Sequence, residues 1–151
     1  MDVDGVVSPF GLIAETDAEK HGWIVRRLGR EQLIIPDAIP GRLQRLEHCF
    51  ECVLATTYEH QAGDLSETLG TKKWDAVRWT QVGGQDWKWK SLLAYARGRS
   101  FAWIDDEIGP GAYDAAAAVP DDQVVLPLLI DPSIGLTDQQ VQQLVSWAAG
   151  L

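Results

Sequence analysis

The feature that most constrains this chain is a set of short apolar runs, each stopping abruptly at polar residues and each separated from the next by a helical stretch. Residues 52–55 (CVLA) stop at Thr56 and Thr57, and residues 100–104 (SFAWI) stop at Asp105, Asp106 and Glu107. Residues 124–130 form a third run, in which Pro127 has no amide hydrogen for a ladder and so marks a sheet edge. Runs this short and this uniformly apolar indicate strands covered on both faces. The expected fold class is therefore α/β: a three-layer α/β/α, Rossmann-like domain with a mainly parallel sheet.

Turn residues divide the rest. A first strand is expected over residues 1–3, and residues 22–36 read as a hairpin, two β-rich arms around Gly29 and Arg30. Pro40 opens a helix through about Cys49, and residues 59–69 form another that stops at Gly70. Residues 76–80 are a candidate strand before the Gly83-Gly84 break. Asp86 is placed to cap a helix through about Arg97, ended by Gly98. Residues 113–118 are a short alanine-rich helix. Thr137 caps a last amphipathic helix that turns Val141, Leu144, Val145 and Trp147 inward. With no repeat and no long linker, residues 1–151 are expected to form a single domain, the hairpin (about 22–36) serving as a small flap.

The chain is 46% apolar and 23% charged, an ordinary globular composition. It has no run of the roughly 18 apolar residues that a membrane helix needs. No basic segment followed by an apolar stretch opens it, so a cytoplasmic location is the default expectation. Twenty-two acids against 13 bases give a net charge of −9, which repels nucleic-acid backbones. A phosphorylated ligand is repelled too, unless a metal ion and a lysine offset the charge locally. Cys49 and Cys52 are too few to close a zinc site and are expected as buried, reduced thiols. His21 and His60 belong to no ligand cluster, and most of the seven tryptophans are expected in the core, with Trp87 or Trp89 near the mouth of a site.

Parallel sheets gather their chemistry beyond the carboxyl ends of the strands. The groups expected there are Asp2 and Asp4, Thr56 with its rival Thr57, and Asp105 with Asp106, joined by a lysine near a helix start, Lys90 or its rival Lys88. In this order the chain resembles the haloacid-dehalogenase-like hydrolases, a superfamily made up mostly of phosphatases. Motif one is residues 2–7 (DVDGVV), motif two residues 53–56 (VLAT), motif three Lys90, and motif four residues 103–107 (WIDDE). The Trp89-Lys90 pair and residues 102–107 look like those of small, capless actinobacterial members, and the pairing favours Lys90.

The resemblance implies a role for each position. Asp2 is the nucleophile, forming an aspartyl-phosphate. Asp4 protonates the leaving oxygen and then deprotonates the hydrolytic water. Thr56 and Lys90 bind phosphoryl oxygens. Asp105 and Asp106 hold Mg²⁺ with the Asp2 carboxylate and the Asp4 carbonyl, Asp105 being the nearer. Elementary chemistry agrees, because a carboxylate attacking a phosphate dianion needs cations to neutralise the equatorial oxygens. The family also implies four or five apolar residues before the first aspartate, whereas here Met1 alone precedes it. Either upstream residues belong before this start or the central strand is cut short, and a shortened strand would loosen Asp2.

The expected activity is magnesium-dependent hydrolysis of a phosphate monoester, on a substrate that an open, capless site allows to be large. One alternative is a catalytically weak domain that binds a phosphorylated ligand or protein. Another is a polynucleotide 3′-phosphatase, which the net charge disfavours and the basic residues Arg26, Arg27 and Arg30 favour.

Overall fold

A computed structural model describes residues 1–11, 14–28, 31–84 and 86–151. The chain forms α1 (Glu15–Lys20), β1 (Ile24–Leu28), β2 (Glu31–Ile35), α2 (Ala38–Leu46), β3 (Val53–Leu54), α3 (Ala62–Thr68), β4 (Asp75–Ala76), α4 (Trp89–Ala96), β5 (Phe101–Asp105), α5 (Pro110–Ala117), β6 (Val125–Leu129) and α6 (Asp138–Ala148). It is a mixed α/β architecture with short parallel pairings. β3 pairs with β4, Leu54 opposite Ala76, and β5 pairs with β6, Trp103 opposite Pro127.

The first two residues bridge these two pairs. The Met1 ammonium donates to the Val53 carbonyl at 2.9 Å, and Ala55 N–H donates to the Met1 carbonyl at 2.7 Å. On the other side Asp2 N–H donates to the Ile104 carbonyl at 2.9 Å. Five extended segments thus lie side by side in the order β4, β3, Met1 with Asp2, β5 and β6. The expected strand over residues 1–3 is reduced to these two residues, but both flanks hold it. Pro127 sits as expected on the outer edge. β6 reaches β5 through the main chain of Val124 and Ile130, so alternation turns the proline nitrogen away.

The hairpin forms as an antiparallel pair, Ile24 opposite Ile35, while its expected turn residues Gly29 and Arg30 lie outside the described residues. Leu28, Leu33 and Ile35 enter the main core, and Arg26 and Arg27 are exposed. Ser8 fastens this hairpin to the N-terminal loop, its Oγ accepting from Ile34 N–H at 2.9 Å and donating to the Ile34 carbonyl at 3.2 Å.

Helix starts differ most from expectation. Pro40 falls inside the first turn of α2 instead of opening it, and α5 begins at Pro110, where a missing N–H costs nothing. The candidate strand over residues 76–80 shrinks to Asp75–Ala76. α1 was not foreseen. α6 has its capping box: Thr137 Oγ1 accepts from Gln140 N–H and Gln140 Oε1 accepts from Thr137 N–H. Val141 and Leu144 are buried there against a core that includes Leu43 and Leu46 of α2, whereas Val145 and Trp147 are half-buried, Trp147 stacking on Phe50.

Only Trp74 and Trp103 of the seven tryptophans are buried. The cysteines also depart from expectation: both thiols are free, but Cys49 is exposed and Cys52 half-buried, burial pushing the Cys52 thiol up to about 11. No described helix is long and apolar enough to cross a membrane.

Candidate functional site

The carboxyl ends of Met1-Asp2 and β5 place Asp2 and Asp105 side by side. Asp105 is the last residue of β5 and is fully buried; Asp2 is 8% exposed. Between them stands Lys88, itself buried, donating to Asp2 Oδ2 and, at 2.6 Å, to Asp105 Oδ2. Trp103, two residues earlier on the same face of β5, adds its indole N–H to Asp105 Oδ2 at 3.0 Å. Asp105 Oδ1 accepts from Glu107 N–H at 3.0 Å, and Asp2 Oδ1 accepts from Val3 N–H at 2.7 Å.

Beyond Asp2 the chain turns sharply. Val7 and Ser8 both donate N–H to the Val3 carbonyl, at 2.8 and 3.0 Å, and Gly5 adopts φ +68°. Gly5 is required twice over. The left-handed backbone favours glycine, and a Cβ there would meet the Asp106 carboxyl carbon at 2.5 Å. Asp106 can therefore lean over the loop toward Asp2. Asp2, Asp105 and Asp106 each offer a carboxylate oxygen within 4.8 Å of the others. Asp4 is half-buried in the loop, bridged to Ser8, and is not part of that cluster.

Charge and burial compete here. Burial raises the Asp2 carboxyl to about 6, with Asp105 adding to the rise and Lys88 opposing it. Burial also raises Asp106. For Lys88, burial works against the charge, but Asp2 and Asp105 outweigh it and hold the ammonium above its ordinary range. Burial likewise lowers the Met1 ammonium beneath them.

The lysine that reaches the carboxylates is thus Lys88. Lys90 is exposed. Lys88 immediately precedes the first residue of α4, and two positions on, about 200° around a helix, Lys90 points the other way. Thr56 follows Ala55, whose N–H holds Met1, and is buried one residue beyond the level of Asp2, whereas Thr57 is exposed. Trp79 donates its indole N–H to the Thr56 carbonyl at 2.9 Å and meets Trp87 edge-on, with 4.8 Å between centroids. Lys88 Nζ lies 5.6 Å from the Trp87 ring centre, so Trp87 walls the site, as Trp87 or Trp89 was expected to.

Sequence reasoning missed Trp103 and Asp86. Trp103 was within reach, because period-two alternation puts it on the Asp105 face. Asp86 was expected to cap α4. Instead its Oδ1 accepts from Gly109 N–H at 2.7 Å, at the start of α5.

A cavity of about 360 Å³ lies at the opposite end of the strands, lined among others by Met1, Val53, Phe101, Ala102 and Trp147. It does not reach the carboxylates. No protein-family model, curated protein or solved structure matches this chain.

Proposed function

We propose that the chain is a magnesium-dependent phosphate-monoester hydrolase with Asp2 as nucleophile. The observation that carries this reading is the buried Lys88 ammonium between Asp2 and Asp105, with Asp106 beside them, beyond adjacent parallel segments. The order β4, β3, Met1 with Asp2, β5, β6 also supports a haloacid-dehalogenase-like, three-layer arrangement, in which the segment bearing the nucleophile lies centrally.

The donor set fits magnesium, since three carboxylates within 4.8 Å are hard oxygen ligands, and an ion that keeps several waters needs few of them. Asp2, Asp105 and Asp106 would hold it, with the Asp4 carbonyl. Bound there, it would neutralise negative charge on the transferring phosphoryl group.

The chain's own groups perform the displacements. An Asp2 oxygen bonds to phosphorus as the bond from phosphorus to the leaving oxygen breaks, and Asp4 gives that oxygen its proton. A water then attacks phosphorus, yielding its proton to Asp4; inorganic phosphate leaves and the Asp2 carboxylate is restored. Lys88 and the Thr56 hydroxyl bind equatorial oxygens. Trp103 and the Glu107 N–H keep Asp105 aligned.

Hydrolysis of p-nitrophenyl phosphate with Mg²⁺, compared with Asp2→Asn, tests the reading. Loss of about 10³-fold or more is expected on removing a covalent nucleophile. Equal, negligible rates for both proteins across a panel of phosphoesters would leave the second reading, a domain of the same build that binds a phosphorylated ligand without turning it over. That reading is favoured by the direct engagement of Asp2 by Lys88.

A further inference from the structure

We propose that Asp86 is the positioning residue for Lys88: its carboxylate latches the turn carrying the lysine onto the start of α5, and so delivers the ammonium between Asp2 and Asp105. The catalytic consequence rests on the hydrolase reading, but the latch itself can be tested without any substrate.

Asp86 has φ +52°, a left-handed conformation that is strained for a residue with a Cβ. Something must hold it there, and the structure offers two bonds. Its Oδ1 accepts the Gly109 N–H at 2.7 Å, and its main-chain carbonyl accepts the Trp89 N–H at 3.0 Å, closing the turn around Trp87 and Lys88. The carboxylate faces the N-terminal end of α5, where the helix dipole favours negative charge. A Cβ on Gly111 would stand 3.0 Å from Asp86 Oδ2, so glycine at that position leaves the carboxylate room.

The surroundings explain why a latch is needed. Gly83 and Gly84, at φ +91° and +93°, precede the turn and lend it no stiffness. On the far side, Gly109 lies four residues beyond Asp105. The latch therefore ties the lysine's turn to the loop that leaves the acidic pair, so lysine and carboxylates share one frame.

Amine acetylation read by mass spectrometry tests this, with exposed Lys90 as an internal reference. In the native protein Lys88, buried and doubly bonded, should react far more slowly than Lys90. Asp86→Ala should raise the Lys88 rate about tenfold, the order expected for losing one hydrogen bond to a charged group, and leave Lys90 unchanged. Asp86→Gly removes the latch but relieves the backbone, so the same rise there excludes strain as the cause. Asp86→Asn, which tolerates the left-handed region and keeps an acceptor, should restore protection. Unfolding would alter Lys90 and the melting curve as well, which distinguishes it from local release. Protection of Lys88 in Asp86→Gly equal to that of the native chain overturns the proposal, as does failure of Asp86→Asn to restore it. Absence of phosphatase activity with Lys88 still released by Asp86→Gly would reject the hydrolase reading and leave the latch standing.

Discussion

Trp103 and Asp105 stand two residues apart on one strand face, and the indole N–H of the first is bonded at 3.0 Å to the carboxylate oxygen of the second that also receives Lys88. A fully buried carboxylate depends on each such donor. Trp103→Phe keeps most of the packing and removes the donor, so a loss of about 1.5–3 kcal/mol is expected. Thermal melting would read this as a fall of several degrees, and an unchanged midpoint would show that the bond contributes nothing.

Gly5 and Asp106 make a second tight pair. Gly5→Ala should cost about 1–2 kcal/mol from the left-handed backbone alone. It should also displace the Asp106 carboxylate, whose carbon the new methyl would meet at 2.5 Å. Calorimetric titration with Mg²⁺ should then show weaker binding than in the native protein, whereas unaltered affinity would remove Asp106 from the ligand set.

The two lysines give opposite expectations. Lys88→Met leaves Asp2 and Asp105 buried without their shared cation, a change expected to cost about 3–5 kcal/mol. Lys90→Ala, on the exposed face of α4, should stay within about 0.5 kcal/mol. Urea denaturation of both variants decides between them, and a larger effect at Lys90 would contradict the geometry.

Asp2 gives a pH dependence with a definite sign. Its folded pKa of about 6 exceeds the ordinary 3.8, so between those values the folded state binds more proton than the unfolded state. Its contribution to stability therefore falls as pH rises from about 4 to 6, and is lost above that. Denaturation of the metal-free protein in a chelating buffer, native against Asp2→Asn, should show this slope in the native chain alone. A slope that persists in the variant would assign it to other groups.

How much of this was legible follows from the range of the forces involved. The hairpin, β5 and the α6 cap are written in local patterns, and the convergence of Asp2, Asp105 and Asp106 follows from strand ends in a parallel arrangement. The choice between Lys88 and Lys90 was not local. It depends on the phase at which α4 starts, which the left-handed turn at Asp86 sets through a bond to Gly109, 23 residues away. The run over residues 52–55 was legible and forms as β3, whereas β4 falls short of the expected 76–80 because it is held mainly by the neighbouring backbone of β3. The early start of α5 rests on Pro110, a residue equally at home in a turn. The exposure of Cys49 reflects α2 ending at Leu46, so that the helix never carries the thiol inward.

The cavity of about 360 Å³ beneath Met1 has a mechanical meaning. Empty volume disappears on unfolding, so hydrostatic pressure favours the unfolded chain in proportion to the voids it abolishes. Met1 and Asp2 are bonded on both sides by neighbouring backbone, and Met1 borders this space at the end away from Asp2. Compression should therefore act first on the end of the sheet that borders this space, on Met1 together with Leu46 of α2 and Leu144 and Trp147 of α6, rather than on the Asp2 end of the strands.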